Sequence, residues 1–127
     1  MTRFDKLTDQ QYLNIETYRK NGLSVRTPVW FIKEGDTLFV RTVANSGKVK
    51  RIRNNGQVNI APCKVDGSLL GEWIPAKARE VKDDDTGQKV DLLLDRKYGV
   101  MKKMFALASA LQGRQYTVLE VKLREES

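Results

Sequence analysis

Apolar and polar residues alternate through most of this 127-residue chain, and the alternation is interrupted where turn-forming residues stand. IETYRK and LSVRTPVWFIK flank Asn21-Gly22, a pair suited to a tight hairpin turn, and Glu34-Gly35-Asp36 separates the second run from TLFVRTV. Two hairpins in succession, hence three antiparallel strands, are predicted. In the middle strand Val25, Thr27, Val29 and Phe31 share one face, and Arg26, Pro28, Trp30 and Ile32 share the other. Both faces are largely apolar, as in a barrel wall with something packed outside it, such as a second subunit. Pro28 has no N–H to give a ladder, which places its backbone at an edge, a bulge or a gap in the pairing. QVNIAPC reads as a fourth strand, and GEWIPAKAREV, after the turn Asp66-Gly67, as a fifth. YTVLEVKLRE, with Thr117, Leu119, Val121 and Leu123 on one face, completes six.

Helical signals occur in three places. Thr8 and Gln11 have capping-box spacing, which predicts a short helix from Asp9 to near Leu13. Ser46 stands where a cap would open a short basic helix that ends at Asn55-Gly56, with Val49 and Ile52 as its apolar stripe. Lys48 and Arg51, three apart, share another side of that helix, while Lys50 and Arg53 are expected to face solvent. From Lys89 the residues Val90, Leu93, Leu94, Tyr98, Met101, Phe105, Ala108 and Leu111 recur at helical spacing, with Gly99 as a break between two helices and Gly113 closing the second. Asp83-Asp84-Asp85 suits a solvated cap better than a metal cluster, because Asp85 and Gln88 have cap spacing. The elements together describe one mainly β domain over residues 1–127: a small, mostly antiparallel barrel with inserted helices.

Composition removes several function classes. The chain is 40% hydrophobic and 31% charged, as a globular protein is, and no apolar run approaches the roughly 20 residues of a membrane span. MTRFDKLTDQQ lacks the apolar core of a signal peptide, so a cytoplasmic location is expected. A single cysteine, Cys63, excludes an internal disulfide, and the absence of histidine excludes the usual zinc sites and histidine-based triads. No metal site is expected. A net charge of +7 favours anionic partners.

The stretch TVANSGKVKRIRNNG, Thr42 to Gly56, concentrates that charge where a strand gives way to a helix. A helix start presents unpaired backbone N–H groups and a partial positive charge. Hydroxyls at Thr42 and Ser46 and the cation of Lys48 flank it, so the junction suits an anion, with phosphate the natural candidate.

Three segments give the chain a resemblance to a known superfamily: RTPVWF at 26–31, RTVANSGKVKRIRNNGQV at 41–58, and LLLDRKYGVMKKMF followed by YTVLEV. In order and spacing they resemble the split-barrel flavoproteins typified by pyridoxamine 5′-phosphate oxidase, and most closely the small oxidoreductases that use the deazaflavin coenzyme F-420. The resemblance implies a six-stranded antiparallel split β-barrel of the FMN-binding type. It implies a homodimer with the cofactor, FMN or coenzyme F-420, at the subunit interface, and hydride transfer to or from a small organic molecule. Carried over by position, it assigns Arg26, Thr27, Pro28, Val29 and Trp30 to the isoalloxazine ring or its approach, and Thr42, Ser46 and Lys48 to the phosphate. Gly47 stands where pyridoxamine phosphate oxidases carry an arginine, so Arg51 is the expected substitute cation. The longer carboxy-terminal segment that helps bind pyridoxamine has no counterpart, and that particular activity is not expected. No general acid or base can be assigned; the cofactor carries the chemistry. Two other readings stand beside this one: a non-catalytic flavin carrier with the same site, and a basic barrel that binds nucleic acid by stacking bases on Trp30 or Trp73. Interleaved acidic residues outside the basic helix count against the nucleic-acid reading.

Overall fold

A computed structural model of the chain describes residues 7, 10–99 and 115–123. Its elements in chain order are β1 (Tyr12–Tyr18), β2 (Ser24–Val29), β3 (Ile32–Glu34), β4 (Thr37–Val43), α1 (Gly47–Asn54), β5 (Gln57–Cys63), β6 (Ile74–Val81), α2 (Asp84–Tyr98) and β7 (Tyr116–Leu123). The seven strands form one sheet in the order β2-β1-β5-β6-β7-β4-β3, antiparallel throughout and curled into a half-barrel. No helix among the described residues is long and apolar enough to cross a membrane.

The alternation in the sequence becomes two faces. Leu13 and Ile15 of β1, Leu38 and Val40 of β4, Val58 and Ile60 of β5, Ala76 and Ala78 of β6, and Leu119 and Val121 of β7 point into one core. Burial of each large member stabilises the fold by roughly 1.5–3 kcal/mol. α1 carries the chain from β4 to β5, strands that are not neighbours, and it seals one end of the barrel by placing Val49 and Ile52 in that core. A second cluster lies under α2, where Val90, Leu94 and Tyr98 cover Ile32 and Val118.

The expected middle strand is two strands. β2 and β3 lie at opposite ends of the sheet, and the chain leaves one for the other at Trp30-Phe31. Phe31 enters the main core, whereas Trp30 and Ile32 join the cluster beneath α2. The second apolar face noted in the sequence is therefore covered at these positions by α2, and the strand count is seven rather than six. Tyr98 meets the backbone at the break. Its hydroxyl accepts from the Phe31 N–H at 3.1 Å and lies 2.8 Å from the Gln11 carbonyl and 3.0 Å from that of Phe31, donating its one proton there. Lys97 Nζ adds a bond to the Phe31 carbonyl at 2.9 Å.

Two local expectations are corrected. The helix over 9–13 does not form in its described part: Gln10 and Gln11 are irregular, Tyr12 and Leu13 open β1, and Thr8 and Asp9 lie outside the described residues. Pairing of β1 with both β2 and β5 outweighs a local cap signal. The cap of α2 is Asp83, whose carboxylate accepts from the Thr86 N–H at 2.9 Å, two residues ahead of the expected Asp85. Gly99 ends α2 as expected. The second helix, with Met101, Phe105, Ala108, Leu111 and Gly113, lies outside the described residues.

Candidate functional site

The start of α1 is built as the sequence implies, with one difference. Ser46 is the N-cap residue with extended backbone, and its N–H bonds the Val43 carbonyl at 3.1 Å. Its side chain makes no cap bond; Oγ is buried without a partner. Because Val49 and Ile52 fix the helix against the core, Lys48 and Arg51 are held along the barrel end. Lys48 Nζ donates to Thr42 Oγ1 at 2.8 Å, and Arg51 Nε donates to Thr17 Oγ1 at 2.7 Å. Thr17 Oγ1 in turn donates to the Val25 carbonyl at 3.4 Å, tying the helix to the beginning of β2. A Cβ placed on Gly47 would come within 2.7 Å of Arg51 Nη1. The guanidinium of Arg51 thus occupies the space that a side chain at 47 would take.

Among the described residues the charges of Lys48 and Arg51 meet no acid at this end. Burial pushes the Lys48 ammonium below the usual lysine range, and the neighbouring Arg51 charge pushes it further. Arg51 is lowered likewise, first by burial and then by Arg19. Among the described residues no carboxylate pairs with Lys48, Arg51 or Arg19. Four other arginines are paired: Arg26 with Glu16, Arg41 with Asp91, Arg53 with Glu80 and Arg79 with Glu120. Cations without acids, the first-turn amides of α1 and an unpartnered hydroxyl form a donor set that fits a phosphate.

The residues expected along a ring are divided. Thr27 and Val29 lie on the inward face of β2, in register with Ile15 and Leu13. Pro28 pairs with Asn14 on an edge strand, which decides between edge, bulge and gap in favour of the edge. Arg26 points to the opposite face, where Nε donates to Glu16 Oε2 at 2.9 Å and the guanidinium lies 4.9 Å from the Trp73 ring centroid. Burial pushes the Glu16 carboxyl up, but hydrogen bonds from Asn59, Arg26 and Tyr18 outweigh it and hold the group below the usual carboxylate range. Trp30 stacks on Tyr98 with centroids 4.3 Å apart and planes 7° from parallel. The structure thus gathers Thr42, Ser46, Lys48 and Arg51 and links them to the start of β2, and it engages Arg26 and Trp30 elsewhere. Arg53, expected in solvent, is exposed but bound to Glu80 through two hydrogen bonds.

Thr17 and Arg19 were not singled out in the sequence. Thr17 carried a signal: it continues the inward series Leu13, Ile15 as a hydroxyl and is only 1% exposed. A separate cleft of about 680 Å³ lies beside β6, β7 and the first turns of α2, and it does not include Lys48, Arg51 or Ser46. Among the described residues no cluster of Cys, Asp or Glu is placed to hold a metal ion.

No protein-family model and no curated protein sequence matches the chain. Solved structures do. The heme storage protein HutZ from Vibrio cholerae superposes with a TM-score of 0.71 at 15% identity, over 93% of this chain and 84% of that one. A candidate pyridoxamine 5′-phosphate oxidase from Listeria innocua gives 0.68 at 13% identity, over 96% and 90%. An F-420 reductase gives 0.62 at 17% identity, over 98% and 96%. The fold is the split β-barrel of the pyridoxamine 5′-phosphate oxidase-like proteins.

Proposed function

We propose that this chain binds a phosphorylated flavin, FMN or the deazaflavin coenzyme F-420, and as a homodimer passes hydride between it and a small organic molecule. The observation that carries the reading is the placing of Lys48 and Arg51 at the start of α1 with no carboxylate paired to either among the described residues. Half-burying the Lys48 charge beside a second cation is costly, and a bound phosphate would offset the cost. Thr42, Ser46, Lys48 and Arg51 would hold that phosphate. Thr27, Pro28 and Val29 on the open edge of β2 would border the ring with outward main-chain groups. Such a cofactor supplies the hydride chemistry; the chain's residues bind, orient and exclude water. A second copy is favoured by the edges of β2 and β3 that no further described strand pairs, and by Val65, Leu69 and Leu70, large apolar side chains exposed in the loop after β5.

The heme-storing neighbour suggests another ligand, but the chain has no histidine for an iron. The buried Cys63 thiol is pushed up by burial and by Asp66, away from the thiolate an iron would take. Stacking on nucleic-acid bases is disfavoured too, since Trp30 already faces Tyr98 and Trp73 already carries Arg26. The test is the absorption spectrum and mass of whatever copurifies, followed by titration with FMN and coenzyme F-420. Binding of either at micromolar or tighter affinity supports the reading, and binding of neither removes it. A substrate screen then separates an enzyme from a carrier.

A further inference from the structure

β2 ends without a turn, and the group that ends it stands on α2. The ladder of β2 with β1 runs from Tyr18↔Ser24 to Leu13↔Val29, so the next residues in step on the same face are Gln11 and Phe31. These two do not pair as strand residues. The Tyr98 hydroxyl stands between their main chains instead, accepting from the Phe31 N–H at 3.1 Å and lying 2.8 Å from the Gln11 carbonyl. One side-chain oxygen thus takes the place of a ladder hydrogen bond. The Tyr98 ring is itself fixed: it is buried, stacks on Trp30 with centroids 4.3 Å apart, and belongs to the cluster with Val90 and Leu94. Lys97 shares the Phe31 carbonyl at 2.9 Å, but among the described residues the Phe31 N–H has Tyr98 alone.

β2 depends on such a tether. Among the described strands it pairs with β1 only, and a strand held along one side frays from its free end. That end is Thr27, Pro28 and Val29, the stretch whose outward main chain borders the ring in the reading above. We infer that Tyr98 is a positioning residue for the ring: by linking the Phe31 main chain to that of Gln11, its hydroxyl sets the line of Thr27 to Val29 along which the ring lies. The inference rests on the flavin reading and adds to it a residue from α2 that touches no cofactor and acts through β2. An edge already in place does not have to be ordered when the ligand binds, so less of the interaction with the ring is spent on ordering the strand.

The experiment compares the full chain with Tyr98→Phe, which keeps the stacked ring and removes the hydroxyl, and with Val121→Ala, which opens the main core on β7 and serves as the control for lost stability. Hydrogen exchange without cofactor is read first. Tyr98→Phe is expected to speed exchange of the segment from Val25 to Phe31 about tenfold over the control, with β5 and β6 alike in the two variants. FMN is then titrated well below the unfolding temperature of each protein. Tyr98→Phe is expected to weaken FMN about threefold to tenfold and to lower the visible circular dichroism of the saturated flavin about twofold or more, while Val121→Ala changes neither. Exchange from Val25 to Phe31 that rises no more than in the control overturns the inference. Native affinity and native flavin bands in Tyr98→Phe overturn it while leaving the flavin reading intact. If the native chain binds neither FMN nor coenzyme F-420, the flavin reading falls and the inference falls with it.

Discussion

The molecule holds two half-buried lysines whose surroundings answer the charge in opposite ways. Lys97, near the end of α2, donates to the Phe31 carbonyl and sits 3.5 Å from the centroid of the Phe31 ring and 5.3 Å from that of Tyr98. A carbonyl dipole and two ring faces meet its charge, as cation–π geometry allows. Lys48, near the start of α1, has the neutral hydroxyl of Thr42 and the like charge of Arg51. Burial depresses both amines, but only at Lys48 does a neighbouring cation add to the effect. Lys97 belongs to the architecture that pins the break between β2 and β3, whereas Lys48 stands where the proposed phosphate would meet the chain.

Removing the pin tests the architectural half of this contrast and has the largest expected effect. Tyr98 is buried, stacks on Trp30 and serves the backbone at the break. Tyr98→Ala is expected to destabilise the fold by about 3–5 kcal/mol in chemical denaturation. Tyr98→Phe keeps the stack but leaves the Phe31 N–H unmet, at a cost of about 1–3 kcal/mol. A loss below 1 kcal/mol for the alanine variant would show that the break does not depend on α2.

The ligand half is tested at Lys48. Lys48→Ala is expected to weaken FMN binding by about 1.5–3 kcal/mol, a loss of ten- to a hundredfold in affinity, because a charge-assisted phosphate contact disappears. Unfolding stability should hold or rise slightly, since a repelled cation has gone. Lys97→Met should leave affinity nearly unchanged. Equal losses of affinity from the two variants would erase the distinction between the lysines.

A smaller effect lies in the pH dependence of stability. Burial lowers the Lys97 ammonium to about 8 from an ordinary 10.5. Between those values the unfolded chain binds a proton that the folded chain releases, so stability rises with pH across that window. Below pH 8 the folded state carries the buried charge and its full cost. Relative to Lys97→Met, the native chain should gain about 1–2 kcal/mol between pH 7.5 and 10, less than full linkage because the amine is only half-buried. Above pH 10 the sign turns: burial raises the Tyr98 hydroxyl to about 12, so phenolate formation favours the unfolded chain. A parallel pH profile for the two proteins would contradict the assignment of the buried charge to Lys97.

The same contrast explains what the sequence disclosed. The strands, α1 and its apolar stripe were legible because alternation and turn pairs are local, and Lys48, Arg51 and Gly47 were legible because they are adjacent in sequence. The break at Trp30-Phe31 was not, since alternation runs through it without a turn residue; what parts β2 from β3 is Tyr98, 67 residues away. Thr17 was missed for a like reason, its partner Arg51 standing 34 residues on. The helix expected at 9–13 failed because a cap signal is weak beside the pairing of β1 on both edges.

Arg26 is where the resemblance and the geometry diverge, and the effect expected there is the smallest. By position it approaches the ring, yet its guanidinium is bound to Glu16 over Trp73 with more than half of the side chain exposed. Arg26→Gln should therefore cost only about 0.2–1 kcal/mol of stability, the range for an exposed ion pair. Glu16 would keep Asn59 and Tyr18 as donors. Its carboxyl, now held below the usual range, stabilises the fold above the unfolded-state value, and that contribution is lost as pH falls through the folded-state value. Without Arg26 the folded-state value rises toward the unfolded one, so acid unfolding should begin at higher pH. FMN affinity is expected to change less than twofold. A tenfold loss of affinity with unaltered acid stability would instead show that Arg26 leaves Glu16 to meet the ring, and that the face of β2 bearing Arg26 belongs to the site.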